Sequence, residues 1–220
     1  MTYNYFETID TANKAYFLGL FHADGSCTSR TRGNNEEIRF QISLQVKDKE
    51  ILEKFLLDVN LPPQRLKLYK SPRPNESDYA KLYLADKRFT KHLLDLKQES
   101  LINRIPDIFM PDFVRGFFDG DGCIYVRRND KKIFYYGATF TCFGWIGEHL
   151  LKVLPFKTKL SIDKRSKDLS SLQTNKKENL ILLFNYLYSN SDIKLERKFS
   201  KFKDAYEFAS TTIPRGSRAK

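Results

Sequence analysis

Hydrophobic and polar residues alternate strictly along residues 38–46. The even positions are Ile38, Phe40, Ile42, Leu44 and Val46, whereas the odd positions up to 45 are all polar. A period of two predicts a β-strand with one apolar face and one polar face. Residues 65–69 and 79–84 alternate in the same way, so two further strands are predicted, with leucines on their apolar face.

Helix signals lie between and after these strands. Asp48 is a candidate N-cap for a helix over residues 48–59, which Pro62 and Pro63 would end. Phe89, Leu93 and Leu96 recur at helical spacing and predict a second helix over residues 86–96.

The pattern occurs twice along the chain. The segment over residues 16–25 recurs as residues 113–122, with an offset of 97 from Asp24 to Asp121. Similar patterns follow both copies. Each half is therefore predicted as αββαββα, with an antiparallel sheet that faces helices on one side and solvent on the other. The second half is predicted to have strands at residues 123–128, 134–142, 159–164 and 169–174, and helices over 144–154, 176–188 and 193–209.

The fold class is thus α+β, built from two pseudo-symmetric halves. We assign residues 1–97 to the first half, 98–111 to a linker, 112–209 to the second half and 210–220 to a basic tail. Pro111 suits the first turn of the helix that opens the second half.

Each repeated segment is an apolar helix that ends in an acid followed by glycine. Gly19 and Gly116 have no side chain, so two such helices can approach closely. Asp24 and Asp121 are placed at helix C-termini, where the helix dipole disfavours negative charge. Two carboxylates brought together there repel each other unless a divalent cation lies between them, and oxygen ligands favour Mg²⁺. A single Asp-Gly turn is common, but two equivalent copies indicate a functional pair.

Composition indicates the class of partner. The formal net charge is +11 with a pI near 9.4, which favours a polyanion. Neither a transmembrane stretch nor a secretory or other targeting signal is visible, so we expect a cytoplasmic protein or one of an organellar matrix. Cys27, Cys123 and Cys142 lack metal-site spacing and are interpreted as reduced thiols. No basic amphipathic helix is clear, so nucleic acid is favoured over a membrane surface.

The polar strand face carries a bias towards positive charge and towards side chains that can bind DNA. Arg and Gln can read base edges in the major groove, and Lys can neutralise phosphate. Lysine-rich strand faces also protect sheet edges from aggregation, and that alternative remains open for any one residue. The candidate DNA-binding residues are Arg30, Arg32, Arg39, Gln41, Ser43, Lys67, Tyr69, Lys70, Arg73, Lys81, Tyr83, Arg127, Arg128, Lys131, Lys132, Thr139, Thr141, Lys157, Lys159, Ser161, Lys164, Arg165 and Gln173.

Residues 17–25 and 114–122 resemble the two copies of the nine-residue motif that names the LAGLIDADG homing endonuclease family. The αββαββα order of each half also resembles that family, over roughly residues 15–208. The resemblance implies a single chain in which the motif helices pack at the centre and the two sheets form a DNA-binding saddle. It implies that Asp24 and Asp121 bind metal and cut DNA, assisted by the carbonyl groups of Ala23 and Gly120.

Further residues follow from the same resemblance. A basic residue near each metal is expected, and Lys198 is the candidate in the second half. Lys97 is the candidate in the first half, although the equivalent residue may instead be Glu99. Gln45, Asp48 and Thr141 fall in a zone that often orders water near the cut, and Asp48 can equally be a helix cap only.

The motif departs from the family pattern at two positions. His22 occupies the sixth position, where Asp119 stands in the second copy, and its role is left between packing and metal binding. Arg115 replaces the small second residue, and its long side chain is expected to lie along a helix surface.

The resemblance implies an intron-encoded type of enzyme, a site-specific, metal-dependent endonuclease that hydrolyses phosphodiester bonds in both strands of its DNA target. Mg²⁺ is the expected cofactor, and Mn²⁺ or Ca²⁺ can substitute in binding. The partner is double-stranded DNA, bound by a monomer. The alternative is an intron maturase or a DNA-binding regulator of the same fold that does not cleave. A basic scaffold without nuclease activity is a further alternative.

Overall fold

The first sheet has four antiparallel strands, and the alternation along residues 38–46 defines its buried face. In the computed structural model the strands are β1 (Gly25–Arg32), β2 (Asn35–Gln45), β3 (Leu66–Tyr69) and β4 (Tyr79–Leu84), in the spatial order β1-β2-β4-β3. Phe40, Ile42 and Leu44 on β2 are buried, as the alternation predicts. Strand β4 begins and ends at the predicted residues.

Helices cover the apolar face of this sheet. They are α1 (Ala12–Ala23), α2 (Lys49–Asp58) and α3 (Lys87–Leu96), followed by α4 (Met110–Asp121). Thr11 caps α1, because its side-chain oxygen accepts a hydrogen bond from the backbone N–H of Lys14. The core is aromatic: the Phe21 ring lies 4.6 Å from Phe40 and 4.9 Å from Phe55, centroid to centroid.

Two details differ from the sequence predictions in this half. Leu68 was predicted on the apolar face, but it is 60% exposed because β3 is an edge strand beyond the cover of the helices. Asp48 does occupy the N-cap position of α2 and is buried, but its side chain makes no capping hydrogen bond.

The second sheet repeats the first. Its strands are β5 (Gly122–Arg128), β6 (Phe134–Phe143), β7 (Leu160–Ile162) and β8 (Leu169–Thr174), in the order β5-β6-β8-β7. The helices α5 (Ile146–Val153), α6 (Lys177–Tyr188) and α7 (Glu196–Thr212) complete this half. Phe140, Leu172, Leu150 and Leu183 form its buried centre. The predicted αββαββα order is thus confirmed in both halves.

The structure describes residues 4–32, 35–96, 103–128, 134–162, 166 and 168–212. The chain divides into two units, residues 1–120 and 121–220. Helix α4 therefore belongs to the first unit up to Gly120, because it packs on α1. The sequence-based division into a first half (1–97), a linker (98–111) and a second half (112–209) stays a prediction. Within the described residues, no helix has the length and apolar character needed to cross a membrane.

Candidate active site and nucleic-acid interface

Helices α1 and α4 are in backbone contact through two glycines of the repeated motif. A Cβ atom added at Gly19 would contact the Phe113 carbonyl oxygen and lie 2.8 Å from the Phe117 nitrogen. A Cβ at Gly116 would contact the Tyr16 carbonyl oxygen and lie 2.9 Å from the Leu20 nitrogen. Since backbone atoms cannot yield as flexible side chains do, this helix pair requires glycine at both positions. The close approach inferred from the sequence is confirmed.

Asp24 ends α1 with its side chain exposed. Its backbone N–H donates to the Leu20 carbonyl oxygen at 2.9 Å, which closes the last turn of the helix. Gly120 lies beside it: a Cβ there would contact the Ala23 side chain and lie 3.1 Å from Asp24 Oδ2. Gly120 thus packs directly against Ala23, and the Asp24 carboxylate lies beside it.

The sixth motif position is His22 in the first copy and Asp119 in the second, and each contacts a different partner. Asp119 is buried, and its Oδ2 accepts a 2.8 Å hydrogen bond from the Tyr16 hydroxyl. His22, at the equivalent position, meets the Phe113 ring edge-on, with centroids 5.6 Å apart. Residues 16 and 113 are also equivalent positions of the repeat. The Tyr16 hydroxyl therefore pairs with a carboxylate, and the Phe113 ring pairs with an imidazole ring. These contacts support packing as the role of His22.

The long side chain of Arg115 is buried, with only 3% of its surface exposed. The guanidinium forms a 2.6 Å ion pair with Asp112 and lies 5.4 Å from the centre of the Tyr16 ring. Asp112 one turn earlier on the same helix compensates the buried charge.

Asp121 and Lys198 lie around the start of β5 in the second unit. Lys198, in the first turn of α7, is buried and donates from Nζ to the Gly122 carbonyl oxygen at 2.7 Å. The ammonium group is therefore held beside the peptide that follows Asp121. Burial raises the pKa of the Cys142 thiol to about 12, and the negative charge of Asp121 adds to the shift. Cys142 is thus a protonated, inert thiol.

The outward face of the first sheet gathers many of the predicted DNA-binding side chains. Register places Gln41 opposite Tyr83, Ser43 opposite Lys81, and Lys81 opposite Lys67. An open groove on this face contains Arg39, Gln41 and Tyr83 among its lining residues. Lys81 Nζ lies 4.7 Å from the centre of the Tyr83 ring. Side chains of the types that can read base edges and neutralise phosphate thus share one surface.

The outward face of the second sheet is largely neutral. Thr139 lies opposite Gln173, and Ser171 lies opposite both Thr141 and Ser161. Arg127 lies 5.5 Å from the centre of the Tyr125 ring at the β5 edge. The predicted residues share one face here as well, but their side chains are mostly uncharged hydroxyls and amides.

The remaining predicted residues are outside these strand faces or outside the described part of the chain. Tyr69, Lys70, Lys157 and Lys159 are exposed, and Arg73 pairs with Glu76 at 2.7 Å. Backbone positions alone are described for Arg30, Arg32 and Arg128. The residues outside the described ranges are Lys97, Lys131, Lys132, Lys164 and Arg165.

Several aromatic residues on these faces were not among the sequence candidates. Tyr79 stacks on Tyr69 with ring centres 5.4 Å apart. Tyr125 covers Gly137, where an added Cβ would contact the tyrosine ring. Tyr125 and Tyr135 also line one groove with Arg127 and Gln173. Their positions on the polar side of the period-two pattern were the signal that could have identified them.

Solved structures of DNA-cutting enzymes share this arrangement of two αββαββα halves. One is the LAGLIDADG homing endonuclease I-GzeII in complex with its DNA target, at 14% identity and a TM-score of 0.61, covering 90% of both chains. The chain has the LAGLIDADG homing endonuclease fold. The meganuclease I-AabMI bound to uncleaved DNA is 14% identical, with a TM-score of 0.60, and the match covers 89% of this chain and 91% of that chain. I-SmaMI bound to cleaved DNA is 12% identical, with a TM-score of 0.62, covering 89% of this chain and 88% of that chain.

The similarity to these solved structures is a similarity of fold, because the sequence identity is low. No protein-family model matches the sequence, and no curated protein matches it either. In the described residues, no group of three or more His, Cys, Asp and Glu side chains is arranged to hold a metal ion. A metal held by one carboxylate, backbone carbonyls and substrate phosphate does not need such a group.

Proposed function

We propose that this chain is a site-specific endonuclease that cuts both strands of double-stranded DNA with the help of Mg²⁺. The observation that carries the proposal is the paired acid: Asp24 and Asp121 occupy the same position of the repeated motif. Asp24 is exposed at the end of a helix whose glycine allows backbone contact with its neighbour. Stability alone does not account for an acid at a helix C-terminus in both copies.

The donor set near Asp24 fits a hard divalent cation. The exposed Asp24 carboxylate lies beside Gly120, and carboxylate and carbonyl oxygens are the ligands that Mg²⁺ prefers. We propose that Asp24 and Asp121 hold the metals, one acid near the cut in each strand, with the carbonyl groups of Ala23 and Gly120 assisting. When bound, the metal lowers the pKa of water and stabilises charge on the phosphate under attack.

The protein's own groups would position the DNA and stabilise charge. Lys198 is held by the Gly122 carbonyl and could donate a proton or a hydrogen bond near the phosphate cut beside Asp121. Lys97 is the proposed first-half counterpart. Arg39, Gln41, Lys67 and the other strand residues would bind phosphates and base edges.

Comparisons support this proposal at the level of fold. I-SmaMI has been solved bound to an uncleaved DNA target in the presence of calcium ions, and also bound to cleaved DNA. We propose a similar use of a divalent cation here. A monomer suffices, since both halves are on one chain, and the enzyme would act where its DNA lies, in the cytoplasm or an organellar matrix. Retention of both acids favours cleavage over a maturase or regulator that only binds.

The test is cleavage of a randomised duplex library with the purified protein in Mg²⁺, followed by sequencing of the new DNA ends. We expect double-strand ends that share one long sequence, which disappear when EDTA replaces Mg²⁺. Sequence-specific binding without any new ends would contradict the endonuclease proposal and favour the binding protein.

A further inference from the structure

Phe143 is the most exposed aromatic side chain among the residues that the structure describes. It ends β6, where Ala138, Phe140 and Cys142 are buried. The alternation of the strand therefore turns the Phe143 ring to the outward face of the second sheet, where 65% of it is exposed. A single exposed apolar residue is ordinary on a protein surface, so the position of this ring decides what it means.

Phe143 lies beside the proposed metal-binding acid of the second half. Gly122 on β5 is opposite Phe140, so Asp121 is level with the residue after Phe140. Phe143 is two residues further along the same face of β6, which is about 7 Å along the strand. The negative charge of Asp121 also contributes to the raised pKa of Cys142, the residue before Phe143, and this effect requires the two side chains to be close. The ring is therefore next to the proposed cut at Asp121.

The backbone around the ring is held on both sides. Phe143 pairs with Leu169 on β8, and the backbone N–H of Gly144 donates to the Asp168 carbonyl oxygen at 3.0 Å. Gly144 has a φ of +55°, in the left-handed region, and turns the chain away from the sheet before α5 begins at Ile146. The ring is thus presented by a paired strand and a hydrogen-bonded turn.

A phenyl ring has few ways to contact DNA. It has no hydrogen-bond donor or acceptor, so it meets DNA only through the face of a base or the methyl group of a thymine. Apolar side chains that insert between base pairs unstack one base step and kink the duplex. Pyrimidine–purine steps unstack most readily, so an inserted side chain selects sequence at a step whose base edges it does not read.

The first sheet has a polar residue at the equivalent position. Gln45 ends β2 opposite Tyr79, as Phe143 ends β6 opposite Leu169. Each is three residues past the partner of the glycine that follows the motif acid. Gln45 is exposed as well, but its amide forms hydrogen bonds that a phenyl ring cannot form. The aromatic ring is therefore a feature of the second half and not a requirement of the repeated fold.

We propose that Phe143 is a wedge that enters the DNA duplex at the base step beside the proposed cut at Asp121 and unstacks that step. The ring stacks on one of the separated bases, and binding is tightest where a pyrimidine is followed by a purine. Phe143 is thus a specificity-determining residue that acts through DNA deformation. The proposal rests on the proposed function, because it requires DNA to be bound at the acid.

The experiment uses the duplex selected from the randomised library, with 2-aminopurine placed in turn at each base step next to the cuts. The fluorescence of this base analogue is quenched by stacking, so unstacking raises it. Binding is followed in Ca²⁺, and cleavage of the same duplex is followed in Mg²⁺. With the wild-type chain we expect a severalfold rise at a step beside one cut, and a pyrimidine–purine preference at that step among the selected sequences.

Three variants assign the rise to the ring. Phe143→Gln introduces the residue of the first sheet and should abolish the rise, flatten the step preference and weaken binding about tenfold, through the loss of one stacked base. Phe143→Trp keeps an aromatic ring and should retain the rise. Ile162→Gln removes a similarly exposed apolar side chain of the same sheet and should also retain it. Melting temperatures of the free proteins should be unchanged, because both positions are exposed.

Deoxyuridine in place of thymine separates a wedge from a methyl contact. Removing the thymine methyl groups at the step should leave the affinity of the wild-type chain unchanged. A loss of affinity equal to that of Phe143→Gln would assign the ring to a thymine methyl group and overturn the wedge.

The remaining outcomes separate the wedge from the function beneath it. Specific binding and cleavage without a fluorescence rise would overturn the wedge and leave the endonuclease intact. A rise that persists in Phe143→Gln, or is lost equally in Ile162→Gln, would do the same. Failure of the wild-type chain to select or cut any sequence would overturn the proposed function and the wedge with it.

Discussion

The Tyr16 hydroxyl on α1 donates a 2.8 Å hydrogen bond to Oδ2 of Asp119 on α4, and both side chains are buried. At the equivalent positions Phe113 faces His22 without such a bond. Both residues of the contact differ between the two copies. A hydroxyl faces a carboxylate in one copy, and an aromatic ring faces an imidazole ring in the other. The sixth motif position is therefore part of the helix-pair packing.

Tyr16→Phe should destabilise the protein, because it leaves a buried carboxylate without one of its donors. We expect a loss of about 1–3 kcal/mol in the free energy of unfolding. Urea denaturation followed by circular dichroism measures this. Tyr83→Phe, at an exposed tyrosine on β4, is a chemically matched control and should change the free energy of unfolding by less than about 0.5 kcal/mol. An unchanged midpoint for Tyr16→Phe would contradict the structural weight given to this contact.

Glycine should be obligatory at positions 19 and 116, because an added methyl group would meet backbone carbonyls on the facing helix. Gly19→Ala and Gly116→Ala should each cost at least about 2–3 kcal/mol. Gly144→Ala is the control: its site is open, and its φ of +55° should cost only about 1–2 kcal/mol. Equal melting temperatures for all three variants would contradict the tight helix pair.

The period-two alternation and the repeat were sufficient to predict most elements, including β4 and β8 with their bounds. Periodicity reports which residues share a face, and that property is local. Whether a face is covered is not local: Leu68 alternates correctly yet is exposed, because no helix reaches the edge strand. Partners across the fold are similarly invisible, so neither the burial of Arg115 against Asp112 nor the Lys198 contact with Gly122 could be predicted from spacing.

His149 should make stability depend on pH. Burial lowers its pKa to about 4, and the positive charge of Lys152 adds to the shift. In an unfolded chain histidine titrates near pH 6.5, so between these values the unfolded state binds more protons. The stability contribution is therefore complete above about pH 6.5 and is lost as the pH falls towards 4.

His149→Gln should remove this dependence. We expect the pH profile of unfolding free energy between 4 and 7 to be flatter in the variant. The difference is on the order of 1 kcal/mol, after allowance for the partial exposure of the imidazole. His92→Gln serves as a histidine control on α3. Parallel profiles for wild type and His149→Gln would show that the imidazole does not titrate as described.

Lys198→Met should slow cleavage of one DNA strand more than the other. The ammonium group beside Gly122 is proposed to stabilise charge only near Asp121, so nicked plasmid should accumulate before linear product. A loss of about 10²–10³ in the rate for that strand is expected. Lys201→Met, an exposed position on the same helix, is the control. Equal slowing of both strands would contradict a role confined to one site.

The central claim is that Asp24 and Asp121 hold the catalytic metals and do not serve the fold. Asp24→Asn and Asp121→Asn keep the shape of the side chain but remove the charge that binds a divalent cation. The exposed Asp204→Asn is the matched control. Folding should be preserved, since the acid at a helix C-terminus is not stabilising.

Cleavage of a supercoiled plasmid carrying the target site, run beside a gel shift in Ca²⁺, tests that claim most directly. Each motif variant should lose linear product by orders of magnitude, while its affinity changes by less than about tenfold, or ~1.4 kcal/mol. Linear product at the wild-type rate from either variant, or parallel loss of binding and cleavage in both, would contradict it.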